Sequence, residues 1–381
     1  MKFIKPRIIT ESTNFRIPDI IWKLNNVFND NGHKLYVVGG AVRDFQTGDT
    51  PKDFDLCTDA MPEKVIEMLK PFYKVQLQGE AFGVVVVFTP TIPEGMEIAT
   101  FREDISKGRN PEVKLGVTIE DDVNRRDLTI NALFFDLETK KIIDLVGGLN
   151  DLKNGIIRMV GDPMERIEED PLRILRVFRF ASRYGSTIDN RTKQAIHKFN
   201  DISSVSLERI WDTVNGEFMK SFKQAKDFQQ YLDFLTEFKL WTQILPGVKV
   251  TPKIKNSDSI SLVLAQILKD NDTNYLRKIL VQQCSISKEF VNSACFLIDL
   301  LDFDSENIVE LTKGKKRFNI LKNDIDTWFK INSIVDRDIT KFSEFELSVS
   351  AKDVMSEFNL KPSPELGNKI KELEIERFKN F

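Results

Sequence analysis

The stretch from Val37 to Thr58 carries residue types that could hold phosphate groups and a metal ion side by side. Gly39 and Gly40 lie between an apolar run that predicts a strand and AVRDFQ, which predicts a helix. Backbone N–H groups at such a turn can bind a triphosphate, and Arg43 on the first helical turn can reach the same anion. The alternative interpretation is an ordinary glycine turn.

Two carboxylates follow this turn. Asp53 and Asp55 are spaced i, i+2 on DFDLC, which predicts a strand, so both side chains would leave the same face. Neighbouring carboxylates repel each other unless a cation lies between them, and Mg²⁺ prefers such ligands together with substrate phosphates. A chance surface pair is the alternative, but the combination with the glycine turn, in this order, favours metal-assisted phosphoryl transfer.

The elements that must position these residues fall into two kinds of region. Apolar runs in the first part of the chain predict strands at 34–38, 53–57, 83–88 and 96–101, a helix at 61–70 and a hairpin turning near residues 138 and 139. From Asn150 onward the strand signals vanish and helical periodicity recurs. We therefore predict an α+β fold with a small mixed-sheet head (1–148), a helical neck (149–220) and a helical body and tail (221–381).

Composition narrows the classes of function. The two histidines, His33 and His197, argue against a His-built metal site or a His-based catalytic triad. Cys57, Cys284 and Cys295 are far apart without a CxxC pair, which argues against a disulfide framework and fits a reducing cytoplasm. No secretory signal or membrane-spanning run is evident. The net charge of −3 does not by itself indicate a nucleic-acid partner.

The motif GGAVRDFQTGDTPKDFDLCT resembles the head motif of the class II nucleotidyltransferases of the DNA polymerase β superfamily, which comprise CCA-adding enzymes and bacterial poly(A) polymerases. The resemblance continues through FGVVVVF, ATFREDISKGRNPEV, NRRDLTINALFFD, IIDLVGGLNDLKNGIIRMVGDP and EEDPLRILRVFRFASRYG, and resumes at SLERI and DVMSEFNLKPSPELGNKIKELE. It implies a mixed-sheet head, a helical neck (149–220) with the nucleotide-templating helix, and a helical body and tail (221–381) that bind RNA. It also implies Mg²⁺-dependent addition of CCA to the 3′ end of tRNA from CTP and ATP, without an evident obligate protein partner.

The segment EEDPLRILRVFRFASR offers a second candidate site. At about 100° per residue, Arg173, Arg176, Arg179 and Arg183 share one arc opposite apolar residues. From the residues alone, Asp170 could be a helix cap and the arginines a solvated face. The resemblance instead makes Asp170 and Arg173 the template that reads the incoming base, and places Arg176 and Arg179 near the triphosphate and sugar. An aspartate acceptor beside an arginine donor suits the shared edge of C and A and mismatches U and G.

Three further assignments complete the predicted site. The resemblance makes Arg126 a nucleotide contact, with Asp127 and Asn131 fixing the local geometry, whereas Arg125 could be a surface partner of Asp121 or Asp122. Glu97 is a candidate third carboxylate because MEIATF predicts a neighbouring strand, but it could equally be an edge-strand charge.

Two further segments have less specific signals. Glu103–Val113, with Gly108, Arg109 and Pro111, lacks apolar periodicity and predicts a mobile loop, which the resemblance links to the change from C to A. A plain surface loop is the alternative. KGKKR (313–317) could follow RNA phosphates or could be solvated.

Alternative functions from the same resemblance are a poly(A), CC-only or A-only polymerase, and from another class an inactive relative that binds tRNA. The metal carboxylates and the template pair are both intact, which argues against the inactive relative. The stretch QGEAFGVVVVF lacks a GRRF-like basic run associated with the poly(A) branch.

Overall fold

The computed structural model describes residues 7–9, 16–78, 82–106, 111–334 and 337–381. The chain divides into two compact units. The first comprises Met1–Val205 and Gln224–Tyr231, and the second Ser206–Lys223 and Leu232–Phe381. The division of the chain into head, neck and body at residues 148 and 220 stays a prediction. No helix in the described ranges is long and apolar enough to cross a membrane.

Within the described residues, the first unit contains twelve strands, of which eight form one mixed sheet, and this confirms the predicted α+β class. The strands are β1 (Arg7–Ile9), β2 (Leu35–Val38), β3 (Asp55–Thr58), β4 (Lys74–Gln78), β5 (Val84–Thr89), β6 (Ile92–Thr100), β7 (Arg102–Asp104), β8 (Val113–Leu115), β9 (Leu133–Asp136), β10 (Lys141–Asp144), β11 (Ile156–Ile157) and β12 (Thr187–Ile188). The sheet order is β1-β10-β9-β2-β3-β6-β5-β4. β3 and β6 run parallel, and the other neighbours run antiparallel.

Alternating residues of these strands bury themselves on opposite faces, as a period of two requires. Leu35 and Val37 belong to one hydrophobic cluster, whereas Tyr36 and Val38 belong to another. Both faces of the central strand are therefore covered, which explains its continuous apolar sequence.

Two details differ from the sequence predictions. The region predicted to be nearly all α contains β11 and β12, a parallel pair of two-residue strands too short to leave a periodic signal. Glu103, Asp104 and Val113, predicted as loop, lie in the hairpin formed by β7 and β8. Gly108 and Arg109 lie outside the described residues.

Helices make up most of the remaining described structure. They are α1 (Asp19–Asp30), α2 (Gly40–Thr47), α3 (Pro62–Leu69), α4 (Ile119–Asn124), α5 (Gly148–Lys153), α6 (Pro163–Glu169), α7 (Leu172–Tyr184), α8 (Asn190–Lys198), α9 (Leu207–Trp211), α10 (Glu217–Gln224), α11 (Phe228–Glu237), α12 (Trp241–Ile244), α13 (Ile260–Leu268), α14 (Thr273–Gln282), α15 (Lys288–Asp299), α16 (Ile308–Arg317), α17 (Lys322–Ile331), α18 (Arg337–Glu344), α19 (Ala351–Phe358) and α20 (Pro364–Asn380).

One lysine of the KGKKR segment has a structural role in the second unit. Lys315 is buried, and its Nζ donates to the carbonyl oxygens of Phe342, Ser343 and Phe345 at 3.4, 3.3 and 2.7 Å. These carbonyls lie at the C-terminal end of α18, where a cation is favourable. Both sequence interpretations, contact with RNA phosphates and a solvated lysine, are therefore wrong for Lys315.

The tail helix α20 is fastened to the rest of the second unit by a buried carboxylate. Glu374 accepts the backbone N–H groups of Ser348 and Val349 at 2.6 and 2.5 Å, and Nη1 of Arg377 at 2.8 Å. Phe378, one turn further on, is fully buried. A deletion of the tail would therefore remove part of a folded core as well as any surface for RNA.

We expect Glu374→Ala to lower the free energy of unfolding of the chain by about 1–3 kcal/mol, because two backbone N–H groups and Arg377 lose their buried carboxylate acceptor. Urea denaturation followed by circular dichroism would measure the loss. Glu376→Ala is the matched control, since Glu376 is exposed on the same helix. Equal losses in the two variants would contradict the assigned role.

Candidate active site

The glycine turn predicted from the sequence joins β2 to α2. Gly39 has φ +63° and ψ −118°, a conformation that residues with a side chain rarely adopt. Its N–H donates to the carbonyl oxygen of Leu133 at 3.0 Å, which ties the turn to β9. Gly40 begins α2, and the first N–H groups of any helix have no acceptor within the helix. The turn therefore has the backbone character of an anion-binding site.

The sheet brings two of the predicted carboxylates together beside this turn. Leu56 of β3 pairs with Ile98 of β6, so Asp55 and Glu97, each one residue earlier, lie side by side on one face. On its other side Asp55 pairs with Val38, the residue before Gly39. The prediction of a strand at 96–101 next to the aspartates is thus confirmed.

Asp53 lies outside the strand that the sequence predicted for it. β3 begins at Asp55, because the preceding residues lack pairing partners in the sheet. Asp53 nevertheless lies close enough for its charge to act on Asp55.

The electrostatics of Asp55 fit a cation site. Loss of hydration, followed by the charges of Asp53 and Glu97, raises the pKa of Asp55 to about 6, while Arg126 acts in the opposite direction. A divalent cation beside these carboxylates would relieve their repulsion. The donor chemistry of Asp53 and Asp55 therefore fits a hard cation that prefers oxygen ligands.

Within the ranges that the structure describes, no group of three or more His, Cys, Asp or Glu side chains could hold a metal ion. Mg²⁺ commonly binds through one or two carboxylates and takes its remaining oxygens from substrate phosphates and water. Asp53 and Asp55 could thus hold a metal jointly with a nucleotide. A ligand role for Glu97 stays a prediction.

Arg126 lies directly behind the glycine turn. A Cβ on Gly39 would lie 3.6 Å from Nη1 of Arg126. Nε and Nη2 of Arg126 donate to Asp122 at 3.0 and 2.9 Å, and the guanidinium stacks 4.8 Å from the ring centre of Phe134. This anchoring leaves Nη1 as the end of the guanidinium nearest the turn.

Asp122 holds two arginines at once. Burial alone would raise its pKa, but the neighbouring Arg126 and Arg125 hold the pKa of this carboxyl below its ordinary value. Arg125 donates to Asp122 through Nε at 2.8 Å, so the predicted pairing of Arg125 with a nearby aspartate is confirmed. Because Asp122 is buried, the sequence interpretation of this pair as a surface contact is wrong.

A buried hydrogen-bond network connects the glycine turn to helix α7. Nη1 of Arg43 donates to Oδ1 of Asn131, whose amide donates to Asp127 at 3.1 Å. Asp127 in turn accepts Nε of Arg176 at 2.6 Å. Asp127 and Asn131 therefore fix the local geometry, as the sequence resemblance implied.

The Arg43 side chain is held by protein partners and is not free to move toward a phosphate. Its side chain is nearly fully buried, with Nε and Nη2 donating to Asp44 at 2.9 and 2.8 Å and the guanidinium 4.8 Å from the ring centre of Phe180. Nη2 still lies near the turn, since a Cβ on Gly40 would be 3.6 Å from it. Arg43 thus places a fixed positive charge beside the turn, and its predicted role in binding the triphosphate stays a prediction.

Asp170 separates α6 from α7. Its Oδ1 accepts the backbone N–H of Leu172 at 3.2 Å, so the cap interpretation of this residue is confirmed. Nη2 of Arg173 donates to the carbonyl oxygen of Arg125 at 3.1 Å, and its Nη1 pairs with Glu169. Arg173 is thereby held beside Asp170 on the first turn of α7. Their predicted base-reading role stays a prediction.

The arginine arc of α7 is a contact surface within the first unit. Arg173 donates to the backbone carbonyl oxygen of Arg125, and Arg176 pairs with Asp127. Nη2 of Arg183 donates to Asp44 at 3.1 Å. Arg179 is buried and donates to Oε1 of Gln224 at 3.0 Å. The solvated-face interpretation is therefore wrong for this arc, since each of the four arginines bonds to a protein acceptor.

Sequence reasoning missed the carboxylates that hold these arginines. Asp44 follows Arg43 directly, and Glu169 precedes the helix that carries Arg173. The available signal was the spacing of the four arginines along one face of α7. If that face packs against the protein, each buried guanidinium needs an acceptor such as a carboxylate.

We expect Asp127→Asn to lower the free energy of unfolding by roughly 2 kcal/mol at pH 7. Burial would raise the pKa of Asp127, but Arg176 and the hydrogen bond from Asn131 lower it to about 2 from an ordinary 3.8. A depressed carboxyl pKa stabilises the fold above about pH 4, and this contribution is lost as the pH falls through about 2. Urea denaturation at pH 7 and pH 3 should show the difference from wild type fall by about half. A difference independent of pH would contradict the argument.

Comparison with known proteins identifies one matching family and relatives of two kinds, CCA-adding enzymes and poly(A) polymerases. Residues 35–158 match the family described as Poly A polymerase head domain. The CCA-adding enzyme of Lactobacillus helveticus is 32% identical over 392 residues, covering 94% of this chain and 94% of that protein. Poly(A) polymerase I of Escherichia coli is 31% identical over 299 residues, covering 74% of this chain but 60% of that protein.

Among solved structures, the CCA-adding enzyme of Bacillus stearothermophilus in complex with CTP has a TM-score of 0.70 at 23% identity, and the match covers 93% of this chain and 91% of the other. This likeness shows a common fold over nearly the whole chain.

Proposed function

The chain belongs to the family of tRNA nucleotidyltransferases and bacterial poly(A) polymerases, and from this premise we propose that it adds CCA to the 3′ end of tRNA. The reaction uses CTP and ATP, releases pyrophosphate and needs no nucleic-acid template. The observation that carries the proposal is the position of Asp55 beside both Glu97 and the strand end that precedes Gly39. This arrangement suits transfer of a nucleotidyl group from a triphosphate.

The bond changes define what the residues must do. The oxygen of the tRNA 3′-hydroxyl forms a bond to the α-phosphorus, and the bond from that phosphorus to pyrophosphate breaks. The turn at Gly39 and Gly40 would receive the triphosphate, with Arg126 and the fixed charge of Arg43 behind it. Asp53 and Asp55 would hold Mg²⁺, which when bound neutralises phosphate charge and activates the attacking hydroxyl. Arg176 and Arg179 would support the sugar and phosphates from α7.

Base selection would fall to Asp170 and Arg173. The Asp170 carboxylate would accept the exocyclic amino group of C or A, and Arg173 would donate to the adjacent ring nitrogen. U and G present the opposite pattern there and would leave buried polar groups unpaired. Arg173 is preorganised for this task by its bonds to Glu169 and the Arg125 carbonyl.

We also propose a cytoplasmic location. Cys57, Cys284 and Cys295 are free and buried in the described structure, which suits a reducing compartment.

A poly(A) polymerase is the second candidate, supported by the 31% identity to the Escherichia coli enzyme. The chain spans only 60% of that protein, against 94% of the Lactobacillus helveticus CCA-adding enzyme. The match to the CCA-adding enzyme also covers 94% of this chain, against 74% for the match to the poly(A) polymerase, and this greater extent of similarity favours CCA addition.

Sequencing the 3′ ends made on tRNA that lacks CCA, with CTP and ATP supplied singly and together, tests the proposal. We expect two C residues with CTP alone and a terminal CCA with both nucleotides. Long A tails would support the poly(A) alternative, and products that stop at CC would support a CC-only enzyme. No extension under any condition would contradict catalysis.

A further inference from the structure

Asp44 lies where α2 meets the last turn of α7. A single oxygen of its side chain, Oδ1, accepts Nε and Nη2 of Arg43 at 2.9 and 2.8 Å. The same oxygen accepts Nη2 of Arg183 and the hydroxyl of Tyr184, both at 3.1 Å. We call these four residues the α2–α7 clasp.

The clasp is well shielded from solvent, so its bonds are strong compared with those of surface ion pairs. The side chains of Arg43, Asp44 and Arg183 are 6%, 15% and 20% exposed. The other carboxylate facing Arg183 is Asp49, whose Oδ2 lies 3.8 Å from Nη2 and which is 55% exposed. Asp44 is therefore the principal acceptor for two closely spaced guanidinium groups.

The clasp joins the two halves of the proposed site. Arg43 lies beneath the glycine turn, which would receive the triphosphate. Arg183 and Tyr184 end the helix that has Arg173 on its first turn. α7 has 13 residues, so it is a continuous rod about 20 Å long. A shift at its last turn is therefore transmitted to the base-reading end.

We propose that Asp44 is a positioning residue that sets the base-reading end of α7 relative to the triphosphate-binding turn. The inference rests on the proposed function, because it assigns Asp44 to the fidelity of that reaction. The anchors at Arg173 and Arg176 attach α7 to the segment around residues 125–127. The clasp attaches α7 through a different acceptor, which belongs to α2, although Arg43 also takes part in the network that reaches Arg176.

The test compares Asp44→Asn with Asp49→Asn. Both variants remove one negative charge near Arg183, but only the first removes a carboxylate in hydrogen-bond contact with it. We expect Asp44→Asn to raise incorporation of U and G relative to C and A by about three- to tenfold, because small displacements of positioning groups have large kinetic effects. Asp49→Asn should keep the wild-type preference.

A second measurement does not depend on catalysis. Hydrogen exchange followed by mass spectrometry should show faster exchange in Asp44→Asn at the last turn of α7 and also at its first turn, 172–175. Faster exchange confined to the last turn, or unchanged nucleotide preference, would overturn the proposal. Wild-type protein that adds no nucleotide would contradict the proposed function, while the exchange comparison would still decide whether the clasp positions α7. Asp44→Glu, which restores the charge, should recover part of the preference.

Discussion

Asp55→Asn is expected to lower nucleotide addition by about 1,000-fold or more, because the variant loses a carboxylate that would hold the metal beside the reacting phosphate. The same change should leave the free energy of unfolding unchanged or higher in metal-free protein at pH 7. The pKa of Asp55 is raised to about 6 in the fold, so the ionised form that exists at pH 7 opposes folding. Single-turnover incorporation of labelled CMP and urea denaturation measure the two properties.

Glu94→Gln is the matched control for this experiment, since Glu94 is an exposed carboxylate on β6, the strand that carries Glu97. It should retain wild-type addition. Glu97→Gln separates the two readings of Glu97: a large loss would make it the third carboxylate, and no loss would make it a surface charge. Wild-type turnover by Asp55→Asn would overturn the metal assignment.

Asp170→Ala is expected to reduce incorporation of C and A about 10- to 100-fold and to raise the share of U and G. The loss follows from one missing buried base contact, which is worth about 1–3 kcal/mol of discrimination. The structure adds a competing effect, because Asp170 also accepts the N–H of Leu172. Loss of such a cap costs about 1 kcal/mol.

Asp162→Ala measures the competing effect by itself. Asp162 caps the neighbouring helix α6 by accepting the N–H of Met164 at 2.8 Å. Both variants should lower the melting temperature by a similar amount, but only Asp170→Ala should change the preference among the four nucleotides. An unchanged preference with retained activity per folded molecule would make Asp170 a structural residue alone.

Local sequence patterns predicted the parts of the site that local physics determines. Gly39 lies at a turn between a strand and a helix, and Glu97 lies on a strand, as the glycine pair and the apolar runs indicated. The start of β3 at Asp55 was missed, because strand ends depend on which neighbours are available to pair.

Long-range partners were harder to predict. Arg43 carries the same local sequence whether it contacts phosphate or Asn131, which lies 88 residues further along the chain. The local sequence of Lys315 likewise indicates a surface lysine. Its burial and its cap on the C-terminal carbonyls of α18 depend on the packing of that helix. Such assignments require the tertiary fold, since the periodicity of a helix shows which face is polar but not what it meets.

The parallel pairing of β3 with β6 has a consequence for how the site is made during synthesis. Parallel strands cannot be joined by a tight hairpin, and here α3, β4 and β5 lie between them in the chain. Asp55 therefore emerges from the ribosome well before Glu97, and the two become neighbours only after this crossover has formed. Pairings of such sequence separation are slow to form. In a nascent chain, Asp55 and Glu97 therefore stay apart until the sixth strand has been translated and has paired with β3.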